Sequence, residues 1–312
     1  MDILVLGGTS FVGRWIVQDL LDRRHTPTLF SRGVTGADLF PGVARLIGDR
    51  ESGDYTAIER RFDAVVDVSG YVPRHVAQAA AAVGDTGRYL FVSTGSVYDR
   101  SGAEVPMTES SPRLPPYRES EVIDNQTYGR LKVACEDDVC ARWGDRASIV
   151  RPGIVAGPHD PTDRFTYWVR RAAGGGTVAV PGRLDQPVQV VDARDHARLV
   201  TLLLEQGLPG AYQAVGPWPA VTLGQLIGAC GAQDLVEVAQ QPSFPLVLAD
   251  PSYDVMFRRS AAAAHAVGMP ATPLEQTVRD VREWDLARGL PDLVEGWTAE
   301  QEADALANSV PG

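Results

Sequence analysis

A tyrosine and a lysine four residues apart are the pair of side chains in this chain whose types and spacing most clearly indicate possible acid/base chemistry. Tyr128 and Lys132 belong to the run Tyr-Gly-Arg-Leu-Lys. On a helix this spacing puts both side chains on one face, about 6 Å apart along the axis. A nearby ammonium favours the phenolate, so the pair predicts a phenol that exchanges protons near neutral pH. The pattern is common by chance, so its meaning depends on the elements around it.

Hydroxyl side chains follow an apolar run upstream of this pair. Ser93, Thr94 and Ser96 come after residues 89–92, which places hydroxyls at the end of a predicted buried strand. A hydroxyl there can hydrogen-bond a substrate oxygen and stabilise developing negative charge. The same residues are also typical of an ordinary turn at a strand end.

A glycine-rich turn near the N-terminus predicts a dinucleotide site. It lies between an apolar run at residues 3–6 and a helical pattern from Phe11 onward, as a dinucleotide fingerprint requires. Gly7 permits the tight turn, Gly13 permits close packing, and the helix N-terminus suits a pyrophosphate. Ser10 replaces the usual middle glycine and either donates to the phosphates or crowds them; a turn without a ligand is the alternative. The predicted phosphate-binding residues are Gly7, Thr9, Ser10, Phe11, Val12 and Gly13.

The end of the second predicted strand indicates which dinucleotide binds. A carboxylate there would hold the ribose 2′-hydroxyl of NAD, but this chain has Ser31 and Arg32 instead. Guanidinium pairs well with phosphate, so we expect NADP, with NAD as the alternative. Arg32 is otherwise an exposed loop charge. Asp49, after the third strand, is expected either to face the adenine or to cap a helix.

Short apolar runs alternate with helical patterns and must position these residues. Strands are predicted at 3–6, 27–30, 44–47, 64–68, 89–92 and 147–150, with helices from residue 11, over 75–83 and over 128–143. This alternation is typical of an α/β fold with a doubly wound parallel (Rossmann) sheet. We assign residues 1–155 to a dinucleotide-binding domain that also uses about 186–215. Residues 156–312 form mainly a smaller substrate-binding lobe.

The pattern of that lobe is less regular. It predicts a helix over 165–173, a strand over 188–191, a helix over 195–205, a mixture of short helices beyond Pro217 and an acidic, alanine-rich tail over 298–308. The lobe is expected on the carboxyl edge of the sheet, where ligands bind in open α/β folds.

Composition narrows the class of partner. The chain has 312 residues, with 29 Lys and Arg against 40 Asp and Glu, a net charge of −11. This charge argues against nucleic acid or an anionic membrane as the main partner. The 3 cysteines form no CxxC pair, which indicates thiols in a reducing compartment. No apolar run is long enough to cross a bilayer, and the chain opens directly into a strand. We therefore expect a cytoplasmic protein that acts on a small molecule.

Five motifs in order resemble the extended short-chain dehydrogenase/reductase family, the group of NAD-dependent epimerases and dehydratases. The similarity covers about residues 1–205, and the rest more loosely; its motifs lie at 7–13, 67–70, 92–98, 128–132 and 151–158. The resemblance implies a nicotinamide cofactor and hydride transfer at a carbon that bears oxygen. It also implies a homodimer, since family members often pair through helices of the sheet domain.

The resemblance assigns roles to matching positions. It implies that Tyr128 is the general acid/base, that Lys132 binds the nicotinamide ribose, and that Thr94 holds the reacting oxygen. Lining and assisting residues are implied at Val68, Ser69 and Gly70 along the cofactor, Pro152 near the nicotinamide and Ser96 beside Thr94.

Departures from the family pattern disfavour a nucleotide-sugar substrate. Arg151-Pro152-Gly153-Ile154 lacks the asparagine usual after the sixth strand, and no arginine precedes Asp192 in the later substrate loop. Ser10 and the Ser31-Arg32 pair resemble a divergent subgroup that includes chloroplast RNA-binding relatives. The charge of −11 disfavours an RNA role here.

Candidate substrate residues lie on both sides of the expected pocket: Tyr71, Ser96, His159, Phe165 and Trp168. His159 and Asp160 lack a third ligand nearby, so no metal site is expected, and His159 is expected to hydrogen-bond within its loop. The aromatic cluster at 165–168 either packs an apolar substrate or belongs to the core. Arg258 and Arg259 are expected on a solvated helix face, with contact to an anionic substrate as the alternative.

Three functions follow in order of preference. The first is an NADP-dependent oxidoreductase that reduces a carbonyl, or oxidises the matching alcohol, of a small metabolite. The second is an epimerase or dehydratase that keeps its cofactor bound and shuttles hydride internally. The third is a non-catalytic scaffold that senses a cofactor or binds RNA.

Overall fold

The computed structural model describes residues 1–309, so the last three residues of the predicted lobe lie outside the described residues. In chain order the strands are β1 (Asp2–Leu6), β2 (Thr26–Ser31), β3 (Ala44–Ile47), β4 (Ala64–Asp67), β5 (Arg88–Val92), β6 (Ala147–Pro152), β7 (Ile154–Ala156), β8 (Thr177–Val180), β9 (Pro187–Val188), β10 (Val190–Asp192), β11 (Gly210–Ala214), β12 (Val221–Thr222) and β13 (Asp234–Glu237). The helices are α1 (Phe11–Asp22), α2 (Pro73–Val83), α3 (Tyr128–Trp143), α4 (Arg164–Ala173), α5 (Ala193–Gln206), α6 (Leu223–Ala229), α7 (Ala262–Ala266), α8 (Leu274–Ala287) and α9 (Ala299–Ala307).

Seven strands form one sheet in the order β11-β6-β5-β4-β1-β2-β3, and every neighbouring pair is parallel. Because the strands are parallel, their carboxyl ends meet at one edge, and ligands of open α/β sheets bind in the crevice there. The loops that follow β1, β2, β4, β5 and β6 therefore converge on the region that the sequence motifs occupy.

Helices cover both faces of this sheet. In β1, Ile3 and Val5 belong to a core cluster with residues of α1 and α5, whereas Leu4 and Leu6 belong to a second cluster with residues of α2 and α3. Successive side chains of a strand point to opposite faces, so a strand buried on both faces is an unbroken apolar run. The doubly wound Rossmann fold predicted from the sequence is confirmed.

The second lobe has its own apolar core between α4, α6, α8 and the parallel pair β8 and β13. Phe165, Tyr167 and Trp168 are buried in it, and the Trp168 indole donates a hydrogen bond to the carbonyl of Pro245 at 2.8 Å. The aromatic side chains of α4 thus hold this lobe together. No helix within residues 1–309 has the length and apolarity to cross a membrane.

Two segments of the lobe differ from the predicted elements. The strand expected over 188–191 is two short strands interrupted at Gln189, whose buried amide donates to the carbonyl of Arg259 at 2.9 Å. The stretch beyond Pro217 contains β12, β13 and the 14-residue α8 besides its short helices. Side-chain bonds to distant backbone override the local apolar pattern in the first case.

The predicted acidic tail is helix α9. The Thr298 side chain caps its N-terminus by accepting from the Gln301 amide, and Glu302 is buried, accepting from the Ala179 amide at 2.9 Å and from Arg171. A polar, alanine-rich segment gives little indication that one carboxylate is buried.

Candidate active site

A groove of about 520 Å³ follows the carboxyl edge of the sheet. Its walls are the glycine turn after β1, the loops after β2 and β3, the end of β4 and the start of α3. It contains all but one of the predicted cofactor residues: Gly7, Thr9, Ser10, Phe11, Val12, Gly13, Ser31, Arg32, Asp49, Val68, Ser69, Lys132 and Pro152.

Close contacts require two glycines of the turn. Gly7 has a φ of 96°, in the left-handed region that favours glycine, and a Cβ on Gly13 would lie 2.1 Å from the Gly7 carbonyl oxygen. Helix α1 begins at Phe11, and the side chain of its N-cap residue, Ser10, makes no capping hydrogen bond. The first amides of α1 are therefore open to an anion, which the helix N-terminus stabilises.

The loop after β2 brings no carboxylate to the groove within residues 31–35. Ser31 and Arg32 line it, with Arg32 exposed. The Asp49 carboxylate also lines the groove and accepts from the amide of Glu51 at 3.0 Å, so it caps a turn rather than a helix. The groove thus offers a guanidinium where an NAD site would place an acidic residue.

A buried ion pair that the sequence did not reveal lies beneath the groove, which Arg50 lines. Asp67, at the end of β4, accepts two hydrogen bonds from Arg50 and one from the Tyr89 hydroxyl at 2.7 Å. Burial opposes ionisation of Asp67, but the charge and hydrogen bonds of Arg50 hold its pKa below the usual value. Arg50 also donates to Ser69 Oγ at 3.1 Å and thereby fixes a residue of the groove.

Lys132 is buried and joins the ends of β4 and β5. Its Nζ donates to the carbonyls of Gly70 and Val92 at 2.7 and 2.8 Å and lies 4.0 Å from the ring centre of Phe91. An ammonium has three N–H groups, so one remains for the groove that Lys132 lines. Burial lowers the pKa of Lys132 to about 8. Gly70, predicted to line the cofactor, instead holds this ammonium and does not face the groove, which corrects that prediction.

Tyr128 is the first residue of α3 and lines both the groove and a larger cavity of about 830 Å³. Burial raises the pKa of Tyr128, and the nearby Thr94 side chain opposes the shift. The prediction that Lys132 makes this phenol titrate near neutral pH is wrong for the protein alone. The ammonium is directed to two backbone carbonyls, and the phenol is protonated at neutral pH.

The larger cavity, which we call the substrate cavity, lies between the sheet edge and the second lobe. Its sheet side comes from the loops after β5 and β6, and its lobe side includes Arg164, Tyr253 and Arg259. Ser93, Tyr128 and Pro152 line both cavities and so mark their junction. The Ser93 hydroxyl is buried and has no hydrogen-bond partner among the described residues. A polar ligand atom at the junction would satisfy it.

The predicted substrate residues are placed differently from one another. Ser96 lines the substrate cavity, as Thr94 does, whereas Tyr71 lines the groove. Phe165 and Trp168 line neither, being 1% and 0% exposed in the core of the second lobe. The structure therefore contradicts their predicted contact with substrate and supports the core alternative.

His159 also lies outside both cavities. Its ring packs between Trp15 and Trp284, with ring centroids 6.3 and 5.4 Å away, so it is a packing residue rather than a substrate ligand. Within residues 1–309 no group of three or more His, Cys, Asp or Glu side chains could hold a metal ion.

The two neighbouring arginines of the second lobe, Arg258 and Arg259, lie in different environments. Arg258 is exposed, but Arg259 is only 4% exposed and lines the substrate cavity. The two residues follow a 3-10 helix at Pro251–Phe257, so the predicted solvated helix face is wrong for Arg259. Other residues of the cavity that sequence reasoning missed are Tyr98, Asn125, Gln126 and Tyr253. Asn125 and Gln126 precede Tyr128 closely enough for that proximity to have indicated them.

These observations fit a dinucleotide. The groove combines a glycine turn too tight for a side chain, open helix amides for a pyrophosphate, and a guanidinium after β2. It ends at a Tyr–Lys pair and at the unpartnered Ser93 hydroxyl. Fold and site together define a Rossmann-type nucleotide-binding protein in which Tyr128 lies between two cavities.

Residues 62–215 match the NAD dependent epimerase/dehydratase family. This segment is similar to that family, in agreement with the resemblance that the sequence motifs indicated. A 2'-dehydrokanamycin reductase from Streptomyces kanamyceticus is 31% identical over 159 residues, which cover 49% of this chain and 42% of that protein. The chloroplast stem-loop binding protein of 41 kDa b from Arabidopsis thaliana is 25% identical over 211 residues, 62% of this chain and 53% of that protein. The chain thus spans about half the length of the curated relatives it matches.

Solved structures share the whole fold at low identity. UDP-glucose 4-epimerase from Thermotoga maritima has a TM-score of 0.70 and 17% identity, covering 93% of this chain and 100% of that chain. UDP-N-acetylglucosamine 4-epimerase from Bacillus cereus has a TM-score of 0.69 and 18% identity, covering 94% and 98%. Similarity at this level of identity establishes the fold alone.

Proposed function

We propose that the protein is an NADP-dependent oxidoreductase that reduces the carbonyl group of a small metabolite. The observation that carries this proposal is the position of Tyr128, which lines both the cofactor groove and the substrate cavity. The similarity to a 2'-dehydrokanamycin reductase supports reduction over epimerisation. The net charge of −11 supports a small-molecule substrate over RNA, although one relative is named for stem-loop binding.

Residues of the groove would hold the cofactor from end to end. The open amides of α1 would bind the pyrophosphate, Ser31 and Arg32 the 2′-phosphate, and the remaining N–H of Lys132 a ribose hydroxyl. Bound NADPH supplies the hydride. The absence of a carboxylate from residues 31–35 of the groove lining supports NADP over NAD.

Tyr128 supplies the proton. Because burial keeps its phenol protonated at neutral pH, Tyr128 can donate directly to a carbonyl oxygen at the junction of the cavities. The Thr94 hydroxyl, which lines the substrate cavity with Tyr128, would orient the same oxygen. Together they place two donors where negative charge develops during reduction, which stabilises the transition state.

Epimerisation is the second candidate, because the epimerase structures share the whole fold. It would use the same tyrosine but consume no added cofactor. Mass spectrometry of ligands released from the purified protein, followed by NADPH oxidation against a panel of carbonyl compounds, separates the two. We expect alcohol formed in a one-to-one ratio with NADPH consumed. An isomerised product without net consumption, or no turnover across the panel, would contradict the proposal.

A further inference from the structure

Arg259 is a buried arginine without an acidic partner. It is 4% exposed, and among residues 1–309 it forms no ion pair. Its Nε donates to the Met256 carbonyl at 2.9 Å, and its Nη1 lies 3.4 Å from the Pro152 carbonyl oxygen. These contacts leave Nη2 without a hydrogen-bond partner in the described part of the chain. Burial lowers the pKa of Arg259 to about 10, so the group is still a cation at neutral pH.

A second buried arginine, Arg151, shows which partners a structural arginine has in this protein. Arg151, at 5% exposure, donates twice to Glu136, at 3.0 and 2.7 Å, and once to the Tyr98 hydroxyl at 3.0 Å. A buried charge is costly unless it is paired and hydrogen-bonded. Arg151 meets that requirement within the chain, whereas Arg259 does not. The missing anion is therefore expected to come from a ligand.

The guanidinium of Arg259 lies beside the reaction centre. A Cβ on Gly95 would lie 1.8 Å from Nη1, and a Cβ on Gly153 would lie 2.9 Å from Nη2, so the group is held between these two backbones. Gly95 follows Thr94, and Gly153 follows Pro152 at the junction of the cavities. The absence of side chains at both glycines makes room for the guanidinium at this place.

Gln189 fixes the backbone that carries this side chain. Its side-chain oxygen accepts from the Arg259 amide at 3.0 Å, and its side-chain nitrogen donates to the Arg259 carbonyl at 2.9 Å. Since Gln189 is fully buried, the guanidinium starts from a rigid anchor. Binding groups that are held in place before the ligand arrives lose little entropy on binding.

The other charged residues that line the substrate cavity are mostly positive, like Arg259. Arg100 and Arg164 line it with Arg259, and Asp99 is the one carboxylate among its described lining residues. The Asp99 carboxylate accepts from the Ser101 amide at 2.9 Å and is thus engaged in its own loop. A cavity with three cations and one anion, in a chain of net charge −11, attracts an anionic ligand.

We propose that Arg259 binds an oxyanion of the substrate, a carboxylate or a phosphate, carried a few bonds from the reacting carbon. The inference rests on the proposed function, because it places this anion next to the carbonyl that Tyr128 protonates. A guanidinium presents parallel N–H groups that match both oxyanions.

Titration calorimetry of the full chain with malonate and with inorganic phosphate tests the site and distinguishes the two oxyanions. Arg259→Met is compared with Arg258→Met, which removes an exposed neighbour outside the substrate cavity. We expect one of the probes to bind wild type and Arg258→Met equally, and Arg259→Met to bind it about 10- to 100-fold more weakly. Equal binding to Arg259→Met, or no binding of either probe to wild type, would overturn the inference.

A melting temperature separates this role from a structural one. Arg259→Met removes a buried charge that lacks a counter-ion and loses only carbonyl contacts, so we expect its Tm to equal or exceed that of wild type. A structural arginine would give a large fall in Tm. If that variant fails to fold, Arg259→Lys retains the charge but loses the planar fork, and we expect several-fold weaker probe binding; unchanged binding would contradict the inference.

Paired substrates distinguish failure here from failure of the proposed reduction. Acetoacetate is compared with its methyl ester, and dihydroxyacetone phosphate with dihydroxyacetone, in NADPH oxidation. Probe binding that depends on Arg259 without any turnover would support the anion site and remove the reductase proposal. Turnover that does not favour the charged member of either pair, and is unchanged in Arg259→Met, would support the reductase proposal and remove the anion site.

Discussion

The cofactor groove and the substrate cavity are built in different ways. The groove is made of short consecutive runs at strand ends, and its one buried arginine, Arg50, is paired with Asp67. The substrate cavity draws on segments as far apart as Ser96 and Arg259, and its charges do not balance. A groove that binds one common cofactor can be complete within the protein. A cavity that selects a substrate contains charged side chains that pair with the substrate rather than with one another.

Tyr128 belongs to both cavities, and its removal is expected to have the largest effect. Tyr128→Phe keeps the ring but removes the proton donor, so we expect kcat to fall about 10²- to 10⁴-fold. NADPH affinity should stay within a few-fold, since the groove is otherwise intact. Steady-state kinetics and fluorescence titration measure the two quantities. Tyr117→Phe, a tyrosine outside both cavities, is the control; a retained kcat in Tyr128→Phe would remove this residue from its role.

Gly13 belongs to the groove alone and tests whether the two cavities are independent. In Gly13→Ala the new Cβ would lie 2.1 Å from the Gly7 carbonyl oxygen, so the turn must open. We expect a loss of NADPH affinity of about 30-fold, or about 2 kcal/mol, with anion binding at Arg259 retained. Gly228→Ala is the matched control, since nothing lies within 4 Å of its Cβ. Equal cofactor affinity in the two alanine variants would show that the turn does not bind the pyrophosphate.

The sequence predicted features made of consecutive residues, as in the groove, better than features made of distant segments, as in the substrate cavity. The glycine turn and α3 were predicted because consecutive residues specify them, through an apolar strand, a glycine turn and helical spacing. The burial of Arg50, Glu302 and Arg259 was not predicted, because burial of a charge depends on partners far away in the chain; for Arg259, contact with an anionic substrate was the alternative to a solvated helix face. Phe165 and Trp168 illustrate the converse error: an aromatic cluster has the same composition whether it packs a core or a ligand.

Cofactor choice depends on the loop after β2. Ser31→Asp places a carboxylate in the groove lining beside Arg32, where it would repel a 2′-phosphate and accept from a 2′-hydroxyl. We expect the ratio of NADP to NAD affinity to fall about tenfold, equivalent to about 1.4 kcal/mol. Binding titrations with both dinucleotides measure this ratio. Unchanged affinities would refute the assignment of the loop to the 2′-phosphate.

The smallest expected effect is a pH dependence within the groove. Burial lowers the pKa of Lys132 from 10.5 to about 8, so its ammonium loses a proton as pH rises through that value. Losing this cation should weaken NADPH binding about threefold between pH 7 and pH 9. Lys132→Arg, which stays charged, should show a flatter profile; identical profiles would assign the dependence to another group.

Lys132 also makes folding stability depend on pH, but in the opposite direction: NADPH binding weakens as pH rises, whereas folding stability increases. Between about pH 8 and the usual lysine value, the unfolded chain binds the Lys132 proton and the folded chain does not. Stability from this residue therefore rises with pH across that window. Lys132→Met should lack that rise in urea unfolding.

Transfer of deuterium from NADPH that carries deuterium at both positions of the nicotinamide C4 tests the central claim most directly. With the substrate identified from the carbonyl panel, the proposal predicts one deuterium atom on the carbinol carbon of the product for each NADPH consumed, and none with Tyr128→Phe. Product that carries no label, or an isomer released while the labelled cofactor stays intact, would contradict a net reduction with Tyr128 as the proton donor.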